Sequence, residues 1–575
     1  MNPGSTPAVP VQSLSDGRRR LATSLLALTM FFTGACGLVS EYALGAVSSY
    51  ILGNSIEQMC MTIAVMMLMM AAGSYIQIIF KKNLVETFIH IELAIAIIGG
   101  FAPLAMYAAF GFLEHHFILV QYFFICSMGL LIGLEIPVVL RINQEYSKSL
   151  GVNVANVYGP DYIGAFMGAV IWVYYLLRNF PITEISFMMA GVNLFVAVVT
   201  FSYFYSLGLV RKKVVIFILI ILTFAALVLG FMNNRRWSVA LEQRLYDDKV
   251  VSSILTKYQQ LVMTYRKEAD EHRLYINGNL QFSSVDEAIY HEQLVHPVMS
   301  LVPDHPKVLI LGGGDGMALR EVLKYDDVKS VTLVDIDPDM VEFSRTNPVM
   351  TRLNKNALAD QRVTVLHPEG VDSQGVKNIF QETGELKTDG NGKPYPDVVK
   401  TAVVKVLNID ADKFIETVRE KYNVIIIDFP DPNAIELAKL YSREFYLKLK
   451  NILSENGMFV VQSTSPYHAK EAFLCVKRTI ASAGFAVIPY HDNVPSFGDW
   501  GWILGWKKQA IPHEVIQNRI ATMDIKPQTR YITPEVFRSA LVFGKGRLDE
   551  TNKEINTLMR PVVLDLYTRE GWKIE

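Results

Sequence analysis

The chain has 575 residues, of which 51% are hydrophobic and 19% charged, with a formal net charge of -2. That length allows several domains, and the composition is too apolar for a protein soluble throughout. The near-neutral charge removes any electrostatic case for nucleic-acid binding. From Leu21 to Met232 come seven apolar stretches near the ~20 residues a membrane-crossing helix needs. They run Leu21 to Leu44, Ile56 to Phe80, Val85 to Phe110, Phe117 to Leu140, Tyr162 to Leu177, Ile182 to Leu207 and Val214 to Met232. The first is too long for a cleaved signal peptide and is expected to stay in the membrane. "GACG" and "GLLIGLE" carry small residues at spacings that suit close helix packing.

Basic residues fall on alternate connections: Arg18, Arg19 and Arg20, then Lys81 and Lys82, then Arg141 and Lys148, then Arg211, Lys212 and Lys213. These connections are expected to face the cytoplasm, which makes the first half a multi-pass domain of the cell (inner) membrane. Seven crossings from a cytoplasmic start would put the second half outside, against the cytosolic origin of the substrates inferred below. Glu41, Glu92, Glu135 and Asp161 lie in or beside apolar stretches, where charge is costly. Acids guiding a polycation are one reading. The simpler one puts Glu41, Glu135 and Asp161 at the membrane interfaces and pairs Glu92 with His90 or a neighbouring helix.

After Asn233 the charge returns. Residues from Trp237 to about Tyr290 alternate as strands do, with Asn277-Gly278 a hairpin turn in "LYINGNLQF". Then "KVLILGGGDG", "SVTLVDIDPDM", "VVKVLNIDADKF", "YNVIIIDFPDP" and "NGMFVVQSTSP" give apolar strands ending in polar or acidic residues, with helical patterns between several of them. "QETGELKTDGNGKPYPD" reads as a surface insertion. The expected architecture is an N-terminal all-α membrane domain of about seven helices (residues 21–232, after a tail 1–20). A small antiparallel sheet (233–290), an α/β Rossmann-like domain (291–510) and a C-terminal extension (511–575) follow it. Ligands of such a sheet bind at the carboxyl ends of its strands, where these acids gather. Of four cysteines only Cys475 lies in this half, so neither a disulfide framework nor a zinc quartet can form there, and no metal is expected.

Gly312, Gly313 and Gly314 between a strand and a helix form a nucleotide-type turn, yet Asp315 would repel a phosphate at that helix start. A neutral or cationic ligand is implied. Asp335 ends the next strand about 20 residues on, where a carboxylate can bind both ribose hydroxyls. Helix capping is the competing explanation for Asp335, and the stronger one for Asp337 before Pro338. Asp428 and Asp431 at the mouth of "IIIDFPDP" suit a cationic amine, one of them accepting its proton. A turn built on Asp and Pro is the alternative for Asp431.

Together "LGGGDGMALREV", "VDIDPDM", "YHEQLVHP", "IDFPDP" and "VVQSTSP" resemble the spermidine synthase, or polyamine aminopropyltransferase, family, from about Ser252 to Lys507. The apolar spans and the tail "TRYITPEVF... INTLMRPVVLDLY" resemble its membrane-fused branch. The resemblance implies transfer of an aminopropyl group from decarboxylated S-adenosylmethionine to an amine such as putrescine, with no further cofactor. The cosubstrate carries a sulfonium and an ammonium, so Asp315 would attract it. Carried over, Gln259, Gly312, Gly314, Asp315, Asp335, Asp410 and Ala411 bind the cosubstrate. Asp428 is the base, and Tyr290, His291, Asp431 and Gln462 bind the amine. Phe497 stands where many members have tyrosine, Asp335 where glutamate is commoner, and Ala411 where glycine is expected. A homodimer and contact with the lipid bilayer are further expectations. A polyamine transporter or sensor, or a methyltransferase using the intact cosubstrate, are the rivals; Asp315 speaks against the last.

Overall fold

The computed structural model describes residues 16–52, 55–147, 149–360, 363–366 and 403–570. Lys148 and the expected insertion at 381–397 lie outside these. The chain divides into two compact units, Met1–Lys249 and Val250–Glu575.

The first unit is helical: α1 (Asp16–Leu52), α2 (Ser55–Ile76), α3 (Leu84–Leu113), α4 (Phe117–Gln144), α5 (Leu150–Ile171), then Ile182–Ser206 and Lys213–Glu242. Six described helices are long and apolar enough to cross a membrane. They coincide with six of the seven expected stretches. The fifth stretch begins in α5, whose Asn153, Asn156, Pro160 and Asp161 lower its hydropathy, and runs on through a π-helical turn, Trp172–Leu176. The last helix runs on to Glu242, past the expected end at Met232.

Glycines bring the backbones together, at Gly129 and Gly133 as the spacing in "GLLIGLE" predicts, and in α5 as well. A Cβ on Gly164 or Gly168 of α5 would run into the carbonyls of Phe31 or Ala35 on α1. Gly129 and Gly133 of α4 lie as close to Met66 and Met70 of α2. One expectation fails here: Glu135 is no interfacial residue but only 3% exposed, and it lies in the bundle beside Glu92, which is fully buried. Pairing places both carboxyls side by side inside the bundle, away from its surface.

The second unit opens with a four-stranded antiparallel sheet, β1 (Lys249–Leu255), β2 (Gln260–Arg266), β3 (Glu271–Ile276) and β4 (Asn279–Ser283). Asn277 and Gly278 both have positive φ, 49° and 79°, as the two-residue turn between β3 and β4 requires. The sheet begins at Lys249 rather than at 233 because the preceding helix continues further.

Eight strands form the main sheet: β5 (Lys307–Gly312), β6 (Ser330–Val334), β7 (Val363–Leu366), β8 (Val403–Leu407), β9 (Tyr422–Asp428), β10 (Leu453–Gln462), β11 (Phe485–Val494) and β12 (Gly498–Lys507). Their order is β11-β12-β10-β9-β5-β6-β8-β7. From β10 to β7 neighbours run parallel, and β12 and β11 add an antiparallel edge. Successive residues of β5 face opposite cores, Val308 and Ile310 one side and Leu309 and Leu311 the other. That two-sided burial is why these strands read as continuous apolar runs.

Gly505 on β12 pairs with Phe459 on β10, and a Cβ there would collide with the Phe459 ring. Gly505→Ala is expected to cost about 1–3 kcal/mol, as over-packed cores do. Chemical denaturation reads this, and adding Phe459→Leu should recover part of the loss.

Candidate active site

Chain order reverses beside β5, with β6 on one flank and β9 on the other. Such a reversal opens a crevice at the carboxyl ends of the strands. Gly312 at the end of β5 pairs with Asp428 at the end of β9, so the turn and the acid arrive together. A Cβ on Gly312 would strike the Asp428 carbonyl, and its φ of 82° disfavours other residues.

The turn is held by acids. The Gly314 amide donates to Asp335 Oδ2 at 2.9 Å, and the Asp337 amide donates to Asp335 Oδ1 at 2.9 Å. Asp335 thus fixes the turn from the neighbouring strand. Burial raises its carboxyl to about 6, with the charges of Asp337 and Asp315 adding and the two amides opposing. Asp337 caps helix Pro338–Thr346 through the Asp339 amide, as its position before proline predicts. Asp337 also takes hydrogen bonds from Thr256, at 2.8 Å, and from Gln259, which brings Gln259 next to this corner. Asp315 Oδ1 accepts the Met317 amide at 2.8 Å. The helix start is therefore satisfied by a carboxylate of the chain itself, where a phosphate would otherwise sit.

His291 lies on helix Glu287–Leu301, almost wholly buried, with Nδ1 3.1 Å from Glu287 Oε2 and Nε2 3.8 Å from Asp315 Oδ2. Burial lowers its proton affinity, but the two carboxylates outweigh it and raise the pKa to about 10. Glu287 is buried as well, yet His291 and Arg320 hold its carboxyl well below the usual range. Arg320 Nη2 reaches Glu287 Oε2 at 2.8 Å. His291, Asp315 and Asp428 present ligand atoms within 4.8 Å of one another.

Tyr290, the residue before His291, also reaches Asp428. Its hydroxyl donates to Asp428 Oδ1 at 2.7 Å, and its ring packs 6.1 Å from Phe497 and 5.7 Å from Trp502. Burial and the Asp315 charge push Asp428 up to about 6, partly offset by His291 and Tyr290. Asp431 is likewise raised to about 6 by burial, against hydrogen bonds from Tyr567, Gln462 and Thr464. Gln462 Nε2 also donates to the Phe429 carbonyl at 2.5 Å and to Tyr441 at 2.7 Å. Among the described residues no Lys or Arg pairs with Asp428 or Asp431, whereas Asp410 pairs with Lys439 at 2.6 Å. Asp431 is held by neutral donors alone, and protonated His291 beside Asp428 is shared with Asp315 and Glu287, so acids outnumber cations in this groove and it suits a cationic ligand.

Asp315, Asp335, Asp428, Asp431, Tyr290, His291 and Gln462 thus gather around one crevice. Asp410 does so less freely. One of its oxygens caps helix Ala411–Thr417 and the other faces Lys439, with Ala411 buried behind it. Reasoning from sequence misses Glu287, Arg320, Thr464 and Tyr567. Only "EAIYH" hinted at the first, because an acid four residues before a histidine shares its helix face.

A family model described as the spermine/spermidine synthase domain matches residues 287–378 and 390–518. Polyamine aminopropyltransferase 1 of Streptomyces coelicolor is 35% identical, over 98% of this chain and 98% of its own. The polyamine aminopropyltransferase of Shewanella oneidensis is 36% identical, over 95% of each chain. A solved spermidine synthase in complex with the transition-state analogue AdoDATO is 21% identical, covers 52% of this chain and 87% of its own, and superposes with a TM-score of 0.40.

The raised carboxyl of Asp428 has a cost with a definite sign. A group whose folded pKa of about 6 exceeds its unfolded value favours the fold only while protonated, and that advantage is lost as pH rises through 6. Asp428→Asn is therefore expected to stabilise the protein by about 1–2 kcal/mol at pH 8, with the gain shrinking as pH falls through about 6 and gone below about pH 4. Melting curves across that range test it.

Proposed function

The chain belongs to the spermine/spermidine synthase family and is an aminopropyltransferase, and we propose that its crevice joins decarboxylated S-adenosylmethionine to a diamine such as putrescine. The nitrogen lone pair of the amine attacks the aminopropyl carbon bound to sulfur. The C–S bond breaks towards sulfur, the sulfonium becomes the neutral thioether of 5′-methylthioadenosine, and the nitrogen gives up a proton. Because the sulfonium is already a good leaving group, what the protein must supply is alignment and an unprotonated nitrogen.

In this reading Asp428 orients the attacking nitrogen and takes its proton, with Tyr290 fixing the carboxylate from the aromatic wall. Asp431, backed by Gln462 and Thr464, holds the distal ammonium. Asp315, beside protonated His291, faces the charged tail of the cosubstrate. Asp335 takes the ribose hydroxyls on lone pairs left over from its two amide contacts. Gln259, Asp410 and Ala411 line the nucleoside end, and no cofactor beyond the cosubstrate is invoked. The observation that carries this reading is the pair of carboxylates, Asp428 and Asp431, at one strand mouth with no Lys or Arg partner among the described residues. A carboxyl near pKa 6 is ionised at neutral pH and strong enough as a base to take the proton.

We also propose that the helical unit lies in a membrane, on the strength of its six long apolar helices and the small-residue contacts between them.

Asp428→Asn should lower turnover by about 10²–10⁴-fold while the affinity for decarboxylated S-adenosylmethionine stays near that of the parent. Release of 5′-methylthioadenosine is the readout, and near-normal turnover would remove Asp428 from the role. In cell fractionation the full chain should stay with the bilayer through an alkaline carbonate wash and leave it only with detergent. Release by carbonate alone would contradict the membrane assignment.

A further inference from the structure

The residues after 511 have no part in the chemistry above, yet they return to the crevice. Asn556 is fully buried and anchors the return. Its side-chain amide donates to the Ala438 carbonyl at 2.8 Å, and its backbone amide donates to Thr479 Oγ1 at 2.9 Å. Its own carbonyl takes the Arg443 amide at 2.9 Å. Asn556 Oδ1 accepts the Val563 amide at 3.3 Å, near the start of helix Val562–Glu570. Val563 is fully buried in the same core as Phe473 and Cys475. Residues four apart share a helix face, so burying Val563 turns Tyr567 inward too. The Tyr567 hydroxyl then donates to Asp431 Oδ2 at 2.9 Å.

That bond decides which oxygen of Asp431 is left to a ligand. Oδ2 is taken by Tyr567 and by Thr464 at 3.3 Å. Oδ1 has one long contact, 3.3 Å from Gln462 Nε2, a nitrogen that also serves the Phe429 carbonyl and Tyr441. Asp431 therefore presents Oδ1, in a fixed direction and with its charge not neutralised by a Lys or Arg. At the other end of the groove Phe497 packs on Tyr290 and offers no hydroxyl. The directional polar contact sits at Asp431.

We infer that Tyr567 is a positioning residue that holds Asp431 for the second ammonium of the acceptor, and so makes the site selective for diamines over monoamines. The inference rests on the reading of Asp431 as the distal amine-binding acid. It names a determinant in the C-terminal extension, outside the α/β domain.

The test uses the purified full chain and follows release of 5′-methylthioadenosine with 1,4-diaminobutane and with butylamine, which lacks the second ammonium. Tyr567→Phe keeps the ring in its packing and removes only the hydroxyl. It should raise KM for 1,4-diaminobutane about 10-fold, the scale of one hydrogen bond to a charged group, with kcat within about twofold. KM for butylamine and for the cosubstrate should not move. Thr464→Val, which removes the other hydroxyl on the same oxygen from a different element, should shift the diamine in the same direction. An unchanged diamine KM in both variants, or equal shifts for the two amines, overturns the inference while leaving the aminopropyl transfer intact. No release by the unaltered chain with either amine overturns that reading and the inference with it.

Discussion

Keeping two carboxylates ionised at the mouth of a buried strand is the constraint on which the second unit is built. Asp428 and Asp431 stand at the end of β9, a strand whose Ile425, Ile426 and Ile427 are fully buried. Burial alone would neutralise both acids. Hydroxyl and amide donors from four separate elements keep them competent: Tyr290 from the helix after the small sheet, Gln462 from β10, Thr464 just beyond it, and Tyr567 from the last helix. These donors are neutral, so they stabilise negative charge without cancelling it. The groove stays attractive to a cation.

The glycine turn obeys the same constraint from the opposite strand. Gly312 must lack a side chain because the Asp428 backbone lies against it, and Gly314 must lack one because Asp335 closes over its amide. Asp315 then occupies the helix start that a phosphate would take in other nucleotide folds. The ion network Arg320, Glu287 and His291 supports Asp315 from behind and is closed to solvent. A buried network of this kind adds little net stability, and its service here is to fix the direction of the groups it holds.

The helical unit solves a different problem with the same residue type. Gly129, Gly133, Gly164 and Gly168 allow helix backbones to touch, because the absent Cβ leaves room for a neighbouring carbonyl. Glu92 and Glu135 then share the interior of the bundle.

Much of this was legible in the residues themselves. Apolar runs of membrane length, the Asn277-Gly278 turn, the alternation of strands with helices and the acids at strand ends follow from local periodicity and turn chemistry, which neighbours in sequence decide. The order of strands, the antiparallel edge of β11 and β12 and the depth of Glu135 in its bundle do not, because they depend on which distant surfaces bury one another. The same division runs through the crevice. Asp315, Asp335, Asp428 and Asp431 could be picked from their places at the ends of apolar runs. Glu287 and Tyr567 could not, since a glutamate on a helix and a tyrosine near the chain end look like ordinary surface residues until packing turns them inward. Local patterning settled which charges would meet at the strand mouths. Which side chains hold those charges in place is a matter of long-range packing, because a hydrogen bond between residues 136 apart, such as that from Tyr567 to Asp431, exists only once the sheet and the last helix have closed on each other.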